Sequence, residues 1–374
     1  MVAAAVLTLP LADCGGHHHV REPVRWQVDA RDAGSPVTHV FGPQQAFTGN
    51  CDDALVGLVR GSDGTVYVVE QTCGLFAGYE NRPHRSSGRP AYVMHQLTAD
   101  GRVYQLPAPR SPYKDFNPLL LAVEPDGAVI GFGASAQLIR YTPSTGWQPM
   151  SAAQQIPSLS GHSGDGGPVA QARVIGPVAA AMAPDGALLV AEPFAVRRIS
   201  RDGTITTVAG TDRLDPPASG GSYWGGRGSA GQDYPPKPVH DGKAPDVPLP
   251  ALAGLTVGQD GTVWLVSAGV IYRVQRGMFS RFVTLPSAAD TSSDSPVYHA
   301  GFALAAGPTP DTVFAFDGTT DTIYRISVGT KTVRAVTTLP RTSNWPGRAP
   351  TMVAASRHQL LVADLSWGLL RVSV

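Results

Sequence analysis

At 374 residues the chain exceeds a typical single domain, yet repeat and all-β units routinely reach that length. Lys plus Arg balance Asp plus Glu at 29 each, which gives no cationic field for a nucleic-acid backbone, and 43% hydrophobic residues supply ample core. The 42 glycines and 33 prolines interrupt the chain too often for long amphipathic helices and imply short elements joined by turns, so the expected class is all-β.

Residues 1–13 form an apolar run of signal-peptide length that ends at Cys14, and no later stretch is long enough to cross a bilayer. Leu11, Ala12, Asp13 and Cys14 resemble a bacterial lipobox, in which the cysteine receives lipid and becomes the mature N-terminus. Asp13 departs from the small residue of that pattern, and no Lys or Arg precedes the apolar run. The reading is an exported chain, a cell-surface lipoprotein through Cys14 or a secreted protein, touching a membrane only through a lipid anchor. Residues 15–35, with His17, His18 and His19, read as a flexible tether. Cys51 and Cys73 then remain as an even pair and read as a disulfide in an oxidising compartment, with two buried free thiols as the other reading.

From residue 36 onward one unit recurs six times. Residues 64–70, 127–133, 186–192, 261–267, 311–317 and 358–364 each begin at a turn residue, continue through β-formers and stop at a small or acidic residue. Four are preceded by Asp, giving Asp-Gly at 63/64, 126/127, 185/186 and 260/261, the dipeptide of tight hairpins. Apolar runs rich in small residues precede them at 55–59, 119–123, 178–182, 252–257, 302–306 and 351–355. Gly57, Ala181, Gly254, Ala303 and Ala354 suit strands that converge on a common axis, where large side chains would collide. A third strand follows with an arginine at a fixed place, Arg140, Arg198, Arg273, Arg325 and Arg371, and Gln96 in the first unit. Repeated around a ring, that arginine reads as an inter-blade or surface contact and not as a catalytic group. Fourth strands are predicted at 103–106, 147–150, 205–208, 280–283 and 333–336. The sixth unit stops at Val374 without one, and residues 37–40, which match 205–208 in pattern, are the predicted donor. Pairing of the two chain ends would remove the open sheet edges that invite aggregation. The predicted organisation is thus a signal-like segment (1–14), a tether (15–35) and a six-bladed β-propeller of four-stranded antiparallel blades (36–374).

The stretch with Gly164, Asp165, Gly166, Gly167 and Pro168, then Pro184, Asp185 and Gly186, Arg197, Arg198 and Ile199, and the run from Asp202 to Thr211 resembles an NHL repeat, and His240, Asp241 and Gly242 echo its opening. The likeness covers about residues 37–374 and is strongest at 161–211. It implies the propeller and, by similarity to sensor propellers of bacterial receptor kinases, a non-enzymatic module that binds a protein or cell-envelope ligand. A monomer is expected.

Propeller topology puts the long connections on one face. The longest, 209–251, carries Tyr223, Trp224, Arg227 and Tyr234, and with Tyr113 and Trp345 these are the candidate contact residues, since aromatic and arginine side chains most often anchor interfaces. The other reading is a flap whose aromatics pack on the propeller. His162, His240 and His299 fall in three successive blade-to-blade connections on that face and are candidate zinc ligands. Asp165 and Asp241 could add carboxylates, although Gly-Asp-Gly serves mostly as a turn device. NHL-like amidating lyases hold zinc by histidine and lactonase-like propellers hold a divalent cation such as Ca by carboxylates. The alternative function is therefore a metal-dependent lyase or lactonase-like hydrolase working at the axis, although the flanking motifs of those families are lacking. No nucleophile elbow, phosphate loop, HExxH or CxxC is present.

Overall fold

The structure is a computed structural model that describes residues 24–25, 36–41, 54–71, 92–98, 102–106, 119–132, 137–152, 163–174, 176–211, 240–286, 301–339, 351–364 and 368–374. They form six antiparallel sheets, the blades of a β-propeller. The innermost strands are Ala54–Arg60, Leu119–Val123, Ala179–Met182, Gly254–Val257, Phe302–Ala306 and Thr351–Ser356. Each touches the inner strands of its two neighbours, so they ring one axis. Close approach explains the small residues: a Cβ added to Gly254 would lie 3.1 Å from Val266 and 3.7 Å from the Ala303 Cα of the next blade.

Second strands are buried along their whole length, as in Leu188–Glu192, Val263–Ser267 and Thr312–Asp317. A blade is covered on both faces by its neighbours, so these strands read as continuous apolar runs and not as in-out alternation. Farther from the axis the cover thins, and the outer strand Arg102–Gln105 buries only Val103. The turns between inner and second strands follow the predicted chemistry. Gly64, Gly127, Gly186 and Gly261 have φ of +87, +84, +79 and +80°, open to glycine at little cost. The preceding Asp63, Asp126, Asp185 and Asp260 each accept the N–H two residues on.

Six separate apolar cores hold the ring, one at each junction between successive blades. Leu189, Val196, Leu255 and Leu265 belong to the junction of blades 3 and 4, and Leu58, Val68, Leu361 and Leu369 to that of blades 6 and 1. The other four joints are built in the same way. Two sheets exceed the expected four strands. Val24–Arg25, within the stretch read as a tether, pairs with Val103 and Arg102 of blade 1, and Gly242–Lys243 pairs with Phe279 and Met278 of blade 4.

The outermost place in blade 6 is taken by Val37–Phe41, with Val37 opposite Val372 and Thr38 opposite Arg371. Val37 also packs against the core between blades 5 and 6.

Candidate functional site

Strand direction alternates within a blade, so second and outer strands end, and inner and third strands begin, on one face. The connections 42–53, 72–91, 107–118, 153–162, 212–239, 287–300 and 340–350 leave from and return to that face. The opposite face carries the hairpins and the ends of Val24–Arg25 and Val37–Phe41 that residues 26–35 join. Tyr113, Tyr223, Trp224, Arg227, Tyr234, Trp345, His162, His299 and the cysteines at 14, 51 and 73 lie outside the described residues.

At the axis the inner strands carry a single ionisable side chain, Arg60, at the exposed hairpin end of its strand. Thr256 is occupied, its Oγ1 accepting the Ala306 N–H of the next blade at 3.0 Å. General acid–base or metal chemistry at the axis would have to come from the long connections.

Among the described residues, buried carboxylates end the second strands of blades 3 and 5, Glu192 and Asp317; Asp317 Oδ1 accepts the Thr319 N–H at 2.9 Å, and Glu192 lies beside a buried arginine. The third-strand position facing the preceding blade is His95, Ile139, Arg197, Tyr272, Tyr324 and Leu370 in blades 1 to 6, each opposite the equivalent second-strand residue. Arg197 is 0% exposed between blades 2 and 3. Its Nη2 donates to Asp165 Oδ1 at 2.6 Å, and its Nη1 lies 3.6 Å from Glu192 Oε1, a carboxylate at the end of the second strand that is itself only 2% exposed. Its Nε finds no partner among the described residues. The repeat marks only Arg198; the period of the strand turns Arg197 inward and Arg198 outward.

Asp165 belongs to the Gly-Asp-Gly lead-in to blade 3, and its role exceeds a turn. While Oδ1 holds Arg197, Oδ2 accepts the Thr207 N–H at 2.9 Å, at a bulge in the outer strand. Blade 4 repeats the device: Asp241 Oδ1 accepts the Arg281 N–H at 3.0 Å, again at an outer-strand bulge. Each lead-in then sends apolar residues into the joint ahead of its blade, Ala172 and Val174 in one case, Ala244, Val247, Leu249 and Leu252 in the other. His240 is exposed, with Nδ1 3.2 Å from the Asp241 carbonyl. Among the described residues no group of three or more His, Cys, Asp or Glu could hold a metal.

Burial acts to raise the Asp165 carboxyl, but hydrogen bonds from Thr207 and the charge of Arg197 outweigh it, and the group titrates below its ordinary value of 3.8. A lowered folded-state pKa gives stability that is complete above the unfolded value and lost as pH falls through the folded one. Asp165→Asn should therefore lower stability near pH 7 by about 1 kcal/mol, a figure discounted for a partly exposed carboxylate. Chemical denaturation of both proteins from pH 7 downward should show the gap shrinking below about pH 4. A gap that is constant with pH would mean that the Asp165 charge is not the stabilising element.

On the hairpin face the repeated arginine makes contacts within its own blade. Arg140 reaches Glu124 at 2.6 Å and also Asp126, and Arg198 reaches Asp185 at 2.7 Å. Arg273 donates to Ser280 Oγ and stacks over Phe282. These support the expectation of structural contacts.

No family model and no characterised protein sequence matches the chain. Solved structures do. The streptogramin B lyase structure aligns with a TM-score of 0.50 at 15% identity over 87% of this chain and 96% of that one. A protein provisionally described as a gluconolactonase gives 0.49 at 13%, over 91% and 92%, and a chain of the nidogen/laminin complex gives 0.45 at 11%, over 81% and 86%. The shared property is the propeller. At such identities the likeness extends to the fold alone, and function has to be argued from the site.

Proposed function

We propose that the chain is an exported NHL-type propeller that works as a binding or scaffolding module through its elaborated face, and that its partner is a protein or another component of the cell envelope. The observation that carries this reading is the asymmetry of the two faces: seven connections of ten or more residues open on one, while the other holds the hairpins and a single such connection, 26–35. The described charges support it. Asp165, Asp241, Glu192 and Arg197 are engaged in joining blades and strands, and the inner strands carry no ionisable side chain but Arg60, their other polar groups being the hydroxyls of Thr256, Thr351 and Ser356. Aromatic and cationic residues Tyr223, Trp224, Arg227 and Tyr234 sit in the longest connection, the composition that anchors interfaces. Export rests on the signal-like segment ending at Cys14.

The test replaces residues 213–238 with a short Gly-Ser linker. Thr211 and His240 are fixed by the strands around them, so the variant should melt as the intact chain does. Retention on isolated envelope fractions, washed sacculi and membrane proteins in separate arms, should fall about tenfold or more, as expected when aromatic anchors are removed. Unchanged retention would remove the proposed surface. Stoichiometric Zn or Ca in the purified protein, lost on His299→Ala, would favour the metal-dependent enzyme instead.

A further inference from the structure

The blades differ at the rim: among the described residues no further strand flanks the outer strands of blades 2, 5 and 6, and that of blade 5 is the longest of the three. In blades 1 and 4 a short strand pairs along the outer strand, and in blade 3 the lead-in does so, with Pro168 opposite Thr204 and the Gly166 and Val169 N–H groups donating to the Ile205 and Gly203 carbonyls. The outer strand of blade 5, Thr332–Thr338, has seven residues, is exposed at Thr332, Arg334, Ala335 and Thr338, and has no strand on its outer side among the described residues. It contains no proline, and most of its residues are β-branched. Such an edge presents bare N–H and C=O groups that template another strand.

Its bulge repeats the others. Ala335 lies opposite Tyr324 as Thr207 lies opposite Arg197 and Arg281 opposite Tyr272. Thr207 and Arg281 donate their N–H groups outward to Asp165 and Asp241; no such carboxylate meets Ala335 among the described residues.

The second observation is electrostatic. Arg334 is directly opposite Arg325, both are exposed, and neither has an ion-pair partner among the described residues. Like charges facing each other across a ladder destabilise it. In blades 2 and 3 the repeated arginine has an acid, Glu124 and Asp126 for Arg140 and Asp185 for Arg198, and in blade 4 Arg273 has Ser280 and the Phe282 ring.

We propose that the outer edge of blade 5 is a docking strand for an acidic, extended segment of a partner protein, which adds as a fifth strand and sets its carboxylates beside Arg325 and Arg334. A second copy of this chain fits poorly. The strand holds no acid, and a two-fold pairing of identical edges would only add like charge.

The probe is a short acetylated peptide of alternating Glu and Val, with binding to the full chain followed by fluorescence anisotropy at low salt. Binding should saturate, weaken about tenfold on Arg334→Ala or Arg325→Ala, and weaken similarly when Gln replaces Glu. N-methylation of alternate peptide amides should abolish it, because a fifth strand needs main-chain hydrogen bonds. Ala335→Pro, checked by melting, should weaken it from the protein side. The methylated peptide makes the same test should that variant fold poorly. No binding, or equal affinity of the methylated peptide, would overturn the proposal. So would unchanged affinity in an Arg325→Ala/Arg334→Ala chain that self-associates, since the arginines would then only guard the edge.

Discussion

Deletion of residues 36–41 is expected to destabilise the protein by on the order of 4 kcal/mol, the net worth of a ladder of about four or five main-chain hydrogen bonds. Those bonds run from Val37–Phe41 to the last strand of the chain, Gly368–Ser373, and Ser373 N–H adds a bond of 2.7 Å to the Pro36 carbonyl. Two further effects act in the same direction. Val37 leaves the core between blades 5 and 6, and the last strand becomes a bare edge beside buried Leu369, Leu370 and Val372. Against a total stability of about 5–15 kcal/mol the loss is large, and the truncated chain should melt early and aggregate on melting. Adding residues 36–41 back as a separate peptide should recover part of the melting temperature. A truncated protein as heat-resistant as the intact one would show that the packing of blade 6 on blade 1 closes the ring unaided.

Arg197→Ala should cost about 3–5 kcal/mol, because it takes the guanidinium away from the buried Glu192 carboxylate and leaves a void beside Val190 in the joint of blades 2 and 3. Arg197→Met with Glu192→Leu should cost distinctly less than the single change. The native pair is imperfect, with one contact of 3.6 Å and an Nε lacking a partner among the described residues, and well-packed apolar replacements of such pairs are often neutral. Ile139 and Leu370 show that the same position accepts an aliphatic side chain in two other blades. Urea unfolding of the three proteins measures the order. If Arg197→Ala is tolerated without loss, the guanidinium is not buried between charged partners as described.

Most of the architecture was legible because each blade repeats a local pattern. The Asp-Gly pairs set the hairpins, and the continuous apolar runs at 188–191 and 263–266 mark strands covered on both faces. The predicted inner strand at 302–306 and the donor strand at 37–40 agree with the structure to within a residue. Blade 4 begins later than the apolar run implied: Leu252 is part of the lead-in that packs in the joint, and the strand starts at Gly254. Contacts distant in sequence were not legible. Nothing local reveals that the Asp165 carboxylate reaches Thr207, 42 residues on, or that Arg197 points inward while Arg198 points out. The bare rim of blade 5 was equally hidden, since an edge is defined by what fails to pair with it. The candidate contact residues Tyr223, Trp224 and Trp345 and the histidines at 162 and 299 fall in connections whose turn chemistry does not repeat, so periodicity carried no information about their placement.

The six joints have separate cores, each shared by two sheets, and this bears on how the molecule tolerates change. A substitution that swells or hollows one joint is felt on either side of it and fades beyond, so effects at distant joints should simply add. Each blade-to-blade connection on the decorated side is thereby footed on two adjoining wedges of the annulus. Drift in one is felt at most by its immediate neighbours, and a ligand-reading surface can be revised one sector at a time.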